Sequence, residues 1–475
     1  MIHQFKLNGY NIVLDVCSGS VNVVDDVAYR IIQLFCSKKD GGLSEAEGHP
    51  TDSEKFEIVD AVMAEFAGVE DLTYEEVQRV VEDVESLVKN KILFTPDIYR
   101  EKLAKTAKNI DVIKALCLHV AHTCNLDCEY CFAAQGKFHG DSALMSLDVA
   151  KKSLDFLVEN SGGRRNLEVD FFGGEPLLNW DVVKQTVAYG RELEKKFNKH
   201  FRFALTTNGV NITDDVIDFA DKEMDNVVLS LDGRKEVHDH FRKFIDGRGS
   251  YDLVIPNFKK LVKSRGGKKY YIRGTFTALN KDFLNDILHM ADLGFDQLSM
   301  EPVVCSPEEP YALAEDDLPY IFDQYEKLAV EMLKRRREGR PFEFYHYMID
   351  LKNGPCVHKR VAGCGSGCEY MAVTPWGDLY PCHQFVGDED YKMGDIYSGI
   401  SNIKKREEFS RCNIYSREEC DDCWAKLYCS GGCAANNYHS SGSISGVYEQ
   451  GCRIFKKRME CAIMLEVASQ LDNEK

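Results

Sequence analysis

Cys124-Asn125-Leu126-Asp127-Cys128-Glu129-Tyr130-Cys131 places three thiols within eight residues, directly after the apolar run Ala115 to Val120. That run reads as a strand, so the thiols sit on a short loop at its carboxyl end. Three thiolates can hold three irons of a 4Fe-4S cubane and leave the fourth iron open to a non-protein ligand. A structural zinc wants four ligands, and His119, His122 or His139 is near enough to supply one. Spacing alone leaves both metals open.

The rest of the chain narrows the context. It has 475 residues, enough for two or three domains, with 44% hydrophobic and 29% charged residues, the balance of a soluble globular protein. Of its 18 cysteines, 11 fall between Cys356 and Cys461. The start carries no basic segment followed by an apolar one, and no apolar run is long enough to span a membrane. A cytoplasmic protein with no membrane partner is expected, and reducing cytosol favours metal ligation over disulfides. The net charge of -18 argues against nonspecific nucleic-acid binding.

Three regions follow from the pattern. Residues 1–100 open with a hairpin signal around Asn8-Gly9-Tyr10, followed by a short strand Val21 to Val24. Three helices are expected, Asp25 to Cys36, Ser53 to Phe66, and one opened by the capping box Thr73-Tyr74-Glu75-Glu76. The third puts Val77, Val80, Val81, Val84, Leu87 and Val88 on one face, a spacing for burial. Ile92 to Thr95 is expected to return as a strand, giving a winged-helix-like unit, with Tyr99 to Lys108 as linker. Residues 101–315 alternate strands with helices. The strands read as Ala115 to Val120, Leu167 to Phe172, Phe201 to Thr207, Asn226 to Leu231, Tyr270 to Thr277 and Gln297 to Pro302. Six such repeats imply an α/β fold with a parallel sheet, whose chemistry sits at the strands' carboxyl ends. Residues 316–475 comprise a bridging helix, whose Lys334-Arg335-Arg336-Arg337 end reads as a solvated terminus, and the cysteine-rich tail.

A CxxxCxxC loop with an aromatic residue before its last Cys, placed after the first strand, resembles the radical S-adenosylmethionine (SAM) superfamily. The resemblance implies a partial (β/α)6 TIM-like barrel in which Cys124, Cys128 and Cys131 hold a 4Fe-4S cluster. SAM then binds the open iron and is cleaved reductively to a 5'-deoxyadenosyl radical. Gly173-Gly174-Glu175-Pro176 matches the segment that receives the SAM amino group, and two glycines let backbone approach a ligand closely. By the same resemblance Ser230 and Asp232 are candidates for the SAM carboxylate and ribose. Arg242 and Arg273 are each candidates for the carboxylate, and Tyr130 for packing beside the cluster and adenine.

In the tail, Cys364 and Cys382 precede Cys420, Cys423, Cys429, Cys433 and Cys452, with CxxC, Cx5C and Cx3C separations among the middle four. This unequal series resembles the SPASM domain of radical SAM peptide maturases. It implies two auxiliary 4Fe-4S clusters, one on Cys364, Cys382 and Cys433, the other on Cys420, Cys423, Cys429 and Cys452. That makes three clusters in all. Cys356, Cys368 or a substrate thiolate completes the first auxiliary cluster. Cys17, Cys36, Cys117, Cys305, Cys412 and Cys461 read as structural.

Over nearly its full length, including the opening run Ile2 to Asp15, the chain resembles the maturases of SCIFF peptides, precursors with six cysteines in forty-five residues. The resemblance implies that the N-terminal unit is a RiPP recognition element, which captures the leader of a Cys-rich precursor peptide as an added strand. It further implies a thioether between a Cys sulfur and a side-chain carbon, of Thr by family precedent, and a low-potential donor of flavodoxin or ferredoxin type. Glu301, ending the sixth strand, is a weak candidate for a base or a positioning group. The competing enzyme reading is an anaerobic sulfatase-type maturase forming formylglycine. That family carries an Asp after the tail cysteine, where this chain has His383 after Cys382. A metal-stabilised peptide-binding protein is the nonenzymatic alternative.

Overall fold

The computed structural model describes residues 1–40, 51–69, 72–105, 107–351 and 357–473. The N-terminal unit is an antiparallel sheet in the order β1 (Ile2–Leu7), β2 (Tyr10–Asp15), β3 (Val21–Val24). Asn8 and Gly9 take positive φ at the hairpin turn, as a two-residue loop requires. Three helices pack on the sheet: α1 (Asp26–Asp40), α2 (Asp52–Glu65) and α3 (Tyr74–Lys89). In α3 the Thr73 hydroxyl accepts from the Glu76 amide while Glu76 reaches back to the Thr73 amide, so the capping box forms. Val77, Val81 and Val84 are buried beneath it.

Ile92 to Thr95 departs from the expected strand. The Ile92 and Leu93 amides both donate to Leu87 O, Phe94 adopts φ 56°, and Leu93 and Phe94 turn into the small core. Burying two large side chains through a turn displaces pairing with β3. The following segment is also not a plain linker. Asp97 caps a short helix, Ile98–Leu103, and binds Lys426 at 3.0 Å and Tyr415 in the tail. His3 of β1 stacks on Trp424 with ring centroids 3.8 Å apart and meets Glu460 at 3.1 Å.

Six consecutive parallel strands form the central sheet: β4 (Ala115–His122), β5 (Asn166–Gly173), β6 (His200–Thr207), β7 (Asn226–Ser230), β8 (Tyr270–Phe276) and β9 (Gln297–Pro302). Helices Leu147–Glu159, Trp180–Phe197, Asp214–Glu223, Tyr251–Arg265 and Phe283–Asp292 lie between them. Crossover helices cover such strands, which accounts for the run of fully buried apolar residues such as Leu116, Phe171, Phe203 and Leu229. Both edges of the sheet are extended. The two-residue strand Glu343–Phe344 pairs with β9, and Tyr370–Val373 of the tail runs parallel to β4, with Tyr370 opposite Ala115. The tail therefore continues the sheet beside the strand that carries the three-cysteine loop.

The bridging helix α4 (Leu318–Arg337) and the C-terminal helix α5 (Glu449–Asn473) pack on each other. Arg335 is buried against Asp292 and Glu331, so the basic run is only partly solvated. No helix among the described residues is long and apolar enough to cross a membrane.

Candidate active site

The strand ends are tied to one another before any ligand is considered. Gly173 has φ 126°, and a Cβ there would lie 2.3 Å from Ala121 O. At Gly174 a Cβ would lie 2.1 Å from Thr123 O. Only glycine lets the end of β5 lie flush against the backbone leading into Cys124. The Glu175 carboxylate accepts from the Leu177 amide (2.9 Å), the Thr207 hydroxyl (2.8 Å) and the Asn208 amide (2.8 Å), joining β5 to β6. Burial nevertheless pushes its carboxyl up to about 7. Asn208 in turn donates to Asn125 Oδ1 at 2.7 Å and lies 3.7 Å from Cys124 Sγ, which seats the loop.

A second tie holds the other end of that loop. Asp232 accepts from Arg242 Nε (2.9 Å) and Nη2 (3.2 Å), from the Tyr130 hydroxyl (2.5 Å) and from the Thr275 amide (3.0 Å). Asp232, expected beside the ribose, is fully buried, is not among the residues lining the cavity, and has both oxygens engaged by these donors. Tyr130 packs at a tilt against Phe241, with the Arg242 guanidinium 5.6 Å from its ring centroid. Arg242 still reaches the cavity, but its charge is matched by Asp232.

These strand ends wall a cavity of about 590 Å³, within the range of small-molecule and cofactor sites. Gly173, Gly174, Glu175 and Ser230 line it on the side of the three-cysteine loop. Arg273, Glu301, His383 and Arg458 line it as well, and Phe132 and Phe172 flank His383 with ring centroids 5.7 and 4.9 Å away. Cys124, Cys128 and Cys131 of the loop share the wall with Cys429, Cys433 and Cys452 of the tail.

The thiols fall into sets that face one another. Burial pushes Cys124 and Cys128 up to about 12, and Cys131 adds to the rise in both. Cys429 is pushed up to about 12 by burial, with Cys452, Cys420 and Cys423 contributing. Cys382 is likewise pushed up to about 12 by burial, with Cys433 and Cys364 contributing. Thiols so placed ionise only when a cation takes the charge, which a metal cluster does. Among the described residues no three His, Cys, Asp or Glu side chains converge on a single ion. A cubane spreads its thiolates over separate irons, so the three sets fit 4Fe-4S clusters in donor chemistry. Cys364 is exposed, and Cys368 is fully buried with a thiol that senses Cys364. Cys356 lies outside the described residues.

Family models match this arrangement: the radical SAM superfamily over residues 118–293 and the SPASM iron-sulfur cluster-binding domain over residues 364–424. An uncharacterized protein of Methanocaldococcus jannaschii is 32% identical over 280 residues, spanning 58% of this chain and 87% of that protein. The chain belongs to the radical SAM superfamily. A cysteine-type anaerobic sulfatase-maturating enzyme of Clostridium novyi is 27% identical over 360 residues, covering 71% of this chain and 91% of the relative. Streptococcus suis SuiB, solved with S-adenosylmethionine and with the precursor peptide SuiA, shares the fold at a TM-score of 0.50 and 16% identity. The match covers 95% of this chain and 98% of SuiB. The chain thus combines radical SAM and SPASM domains, and these domains imply 4Fe-4S clusters and SAM.

Arg458 carries no sequence signal, standing mid-helix in α5. It donates to Tyr325 Oη (2.9 Å), Glu301 (3.2 Å) and Met300 O (3.2 Å), bracing the end of β9. Burial works against ionising Glu301, yet the facing His346, Arg458 and Arg273 outweigh it and hold the carboxyl at about 2. His346 itself is pushed down to about 3 by burial. A carboxylate held this low is a poor proton acceptor at neutral pH.

Proposed function

We propose that this radical SAM maturase installs thioether cross-links, Cys sulfur to a side-chain carbon such as that of Thr, in a Cys-rich precursor peptide of the SCIFF type. The observation that carries the reading is the single chamber walled both by the three-cysteine loop and by Cys429, Cys433 and Cys452. A peptide in that chamber lies between two sets of thiols with different work to do. Cys124, Cys128 and Cys131 would hold the SAM-binding cluster. Cys364, Cys382 and Cys433 would hold the first auxiliary cluster, completed by Cys368, Cys356 or a substrate thiolate. Cys420, Cys423, Cys429 and Cys452 would hold the second. When bound, these groups supply a 5'-deoxyadenosyl radical, a site that keeps a substrate thiol deprotonated, and a sink for the surplus electron.

The chain's own residues set the geometry. Gly173 and Gly174 leave backbone open to the SAM amino group, and Ser230 and Arg242 stand on the same wall. Phe132 and Phe172 line the chamber with apolar surface, limiting water and stray hydrogen donors. The leader is assigned to β3. The opposite edge strand, β1, leans on Trp424 and Glu460 through His3, whereas β3 has an edge that no strand among the described residues pairs, with Val23 42% exposed. The SCIFF-like opening run supports a leader-binding N-terminal unit, and SuiB, which shares the fold, was solved with its precursor peptide bound. Electrons would come from a flavodoxin- or ferredoxin-type donor in the cytoplasm.

The similarity to a cysteine-type sulfatase-maturating enzyme favours a second reading, oxidation of a substrate Cys to formylglycine. His383 at the position after Cys382 weighs against it. Anaerobic incubation with SAM, reductant and a six-cysteine precursor, followed by tandem mass spectrometry, separates the two. Thioether formation removes two hydrogens per cross-link and leaves that Cys unalkylatable after reduction. A sulfur-free aldehyde in the product would overturn the reading.

A further inference from the structure

The chamber holds two arginines of different status. Arg242 is matched by Asp232. Arg273 is exposed to the chamber and has no ion-pair or hydrogen-bond partner for its guanidinium among the described residues. Glu301 supplies an opposite charge nearby but makes no ion pair or hydrogen bond with it, so the Arg273 donors stay available to a group entering the cavity.

Position says what enters. Arg273 on β8 stands opposite Ser299 on β9, and Glu301 stands opposite Thr275. Arg273 and Glu301 are therefore diagonal neighbours on adjacent parallel strands, and both face the chamber. Their Cα atoms are about 8 Å apart, from a strand spacing near 4.8 Å and a two-residue rise near 6.6 Å. An extended peptide presents main-chain groups to one side at that same two-residue repeat.

Glu301 arrives with one oxygen braced and one available. Its Oε2 is held by Arg458 at 3.2 Å, while Oε1 stands 3.6 Å from His346 Nε2, beyond a good hydrogen bond. The ring of His346 is meanwhile engaged by Ser299 at 3.1 Å. The pair shares the chamber wall with His383 and Cys433 of the tail. Arg242, by contrast, is tied through Asp232 to Tyr130 of the loop.

The geometry points to a two-point clamp for the main chain of the peptide substrate, in which Glu301 accepts an amide N–H and Arg273 donates to a carbonyl oxygen. It rests on the peptide-maturase reading and departs from the expectation that Arg273 pairs with the SAM carboxylate. The clamp holds an extended core segment across the mouths of β8 and β9, beside the tail thiols, and so selects which substrate carbon is presented. Arg458 acts as a positioning residue through Glu301.

The test uses anaerobically reconstituted full-length enzyme with the six-cysteine precursor. Arg273→Met should raise KM for the precursor at least about tenfold, the scale of a lost charge-assisted hydrogen bond. SAM affinity, measured by equilibrium dialysis, should move less than twofold, and Arg273→Lys should recover most of the loss. A tenfold weaker SAM affinity with an unchanged peptide KM would overturn the clamp in favour of a cofactor contact. Unchanged values for both would overturn it outright. A series of precursors, each N-methylated at one core residue, provides the second arm. The methylation that impairs the wild type should cost nothing further in Glu301→Leu, which removes the acceptor, and full additivity would refute the amide contact. The product mass reports separately on thioether chemistry: a different product from the wild type sinks that reading while KM still reads the clamp.

Discussion

Replacing Asp232 by Asn removes one charge from a pair that water cannot rescue. Asp232 is fully enclosed and the Arg242 side chain is only 12% exposed. Four donors converge on the carboxylate, at 2.5 to 3.2 Å. Asn keeps the shape and an oxygen for the Thr275 amide but turns amide hydrogens toward the guanidinium and strands its charge. Breaking one partner of a buried ion pair costs about 3–5 kcal/mol, or about two to four decades in an opening equilibrium. A chain of several modules lacks a single two-state transition, so native-state hydrogen exchange on the cluster-free protein is the suitable assay. Amides at Leu231 and Thr275, which lie on the buried strand ends, should lose that much protection, up to the limit of global opening. Because Tyr130 stands between Cys128 and Cys131, the variant should also retain less iron at the three-cysteine loop after reconstitution. Asp232→Asn combined with Arg242→Met should recover part of the loss, since removing both charges is cheaper than orphaning one. Unchanged protection, or a double variant that loses the full sum of the singles, would refute the reasoning.

Two further outcomes can be measured alongside the product analysis and the clamp test. Gly174→Ala must push its Cβ away from Thr123 O at 2.1 Å and from Gly136 Cα at 3.0 Å. Backbone cannot yield as a side chain would, so a loss of at least about 1–3 kcal/mol in stability is expected, with SAM affinity falling at least about tenfold. Thermal melts and equilibrium dialysis read these, and a wild-type melting curve would contradict the close approach. Glu175, pushed up to about 7 in the folded protein against an ordinary 4.5, binds its proton more tightly folded than unfolded. Its contribution to stability is therefore fully present below about pH 4.5 and is lost as pH rises to about 7, amounting to about 3 kcal/mol. Glu175→Gln should remove that slope, so the stability difference between variant and wild type must change across this window. A constant difference would show that the three donors keep Glu175 ionised throughout.

The parallel strands were legible because burial on both faces writes them as apolar runs, and the start and end residues read from sequence lie within a residue or two of those observed. The Thr73 and Glu76 capping box was legible for a local reason, since its hydrogen bonds close within one turn. Ile92 to Thr95 misled because an apolar run of that length is equally at home turning two side chains into a core. Asp232 was visible as a polar residue just past a strand and Arg242 as a basic residue ten positions on, at the end of the helix Lys235–Phe241, but nothing local says that they are spent on each other. Arg458 left no trace, because α5 is a helix whether or not one arginine reaches across to Glu301 and Tyr325.

Sequence by itself determined the order of strands and helices and which thiols are close in chain, since hydrophobic period and ligand spacing are properties of neighbouring residues. Only the tertiary structure decided that the tail strand Tyr370–Val373 pairs beside β4, which brings Cys433 to the same chamber as Cys124. It also decided which arginine is matched by a carboxylate and which faces the chamber open. Both outcomes depend on contacts between residues far apart in the chain, where packing and charge pairing are settled by the whole fold rather than by any local pattern.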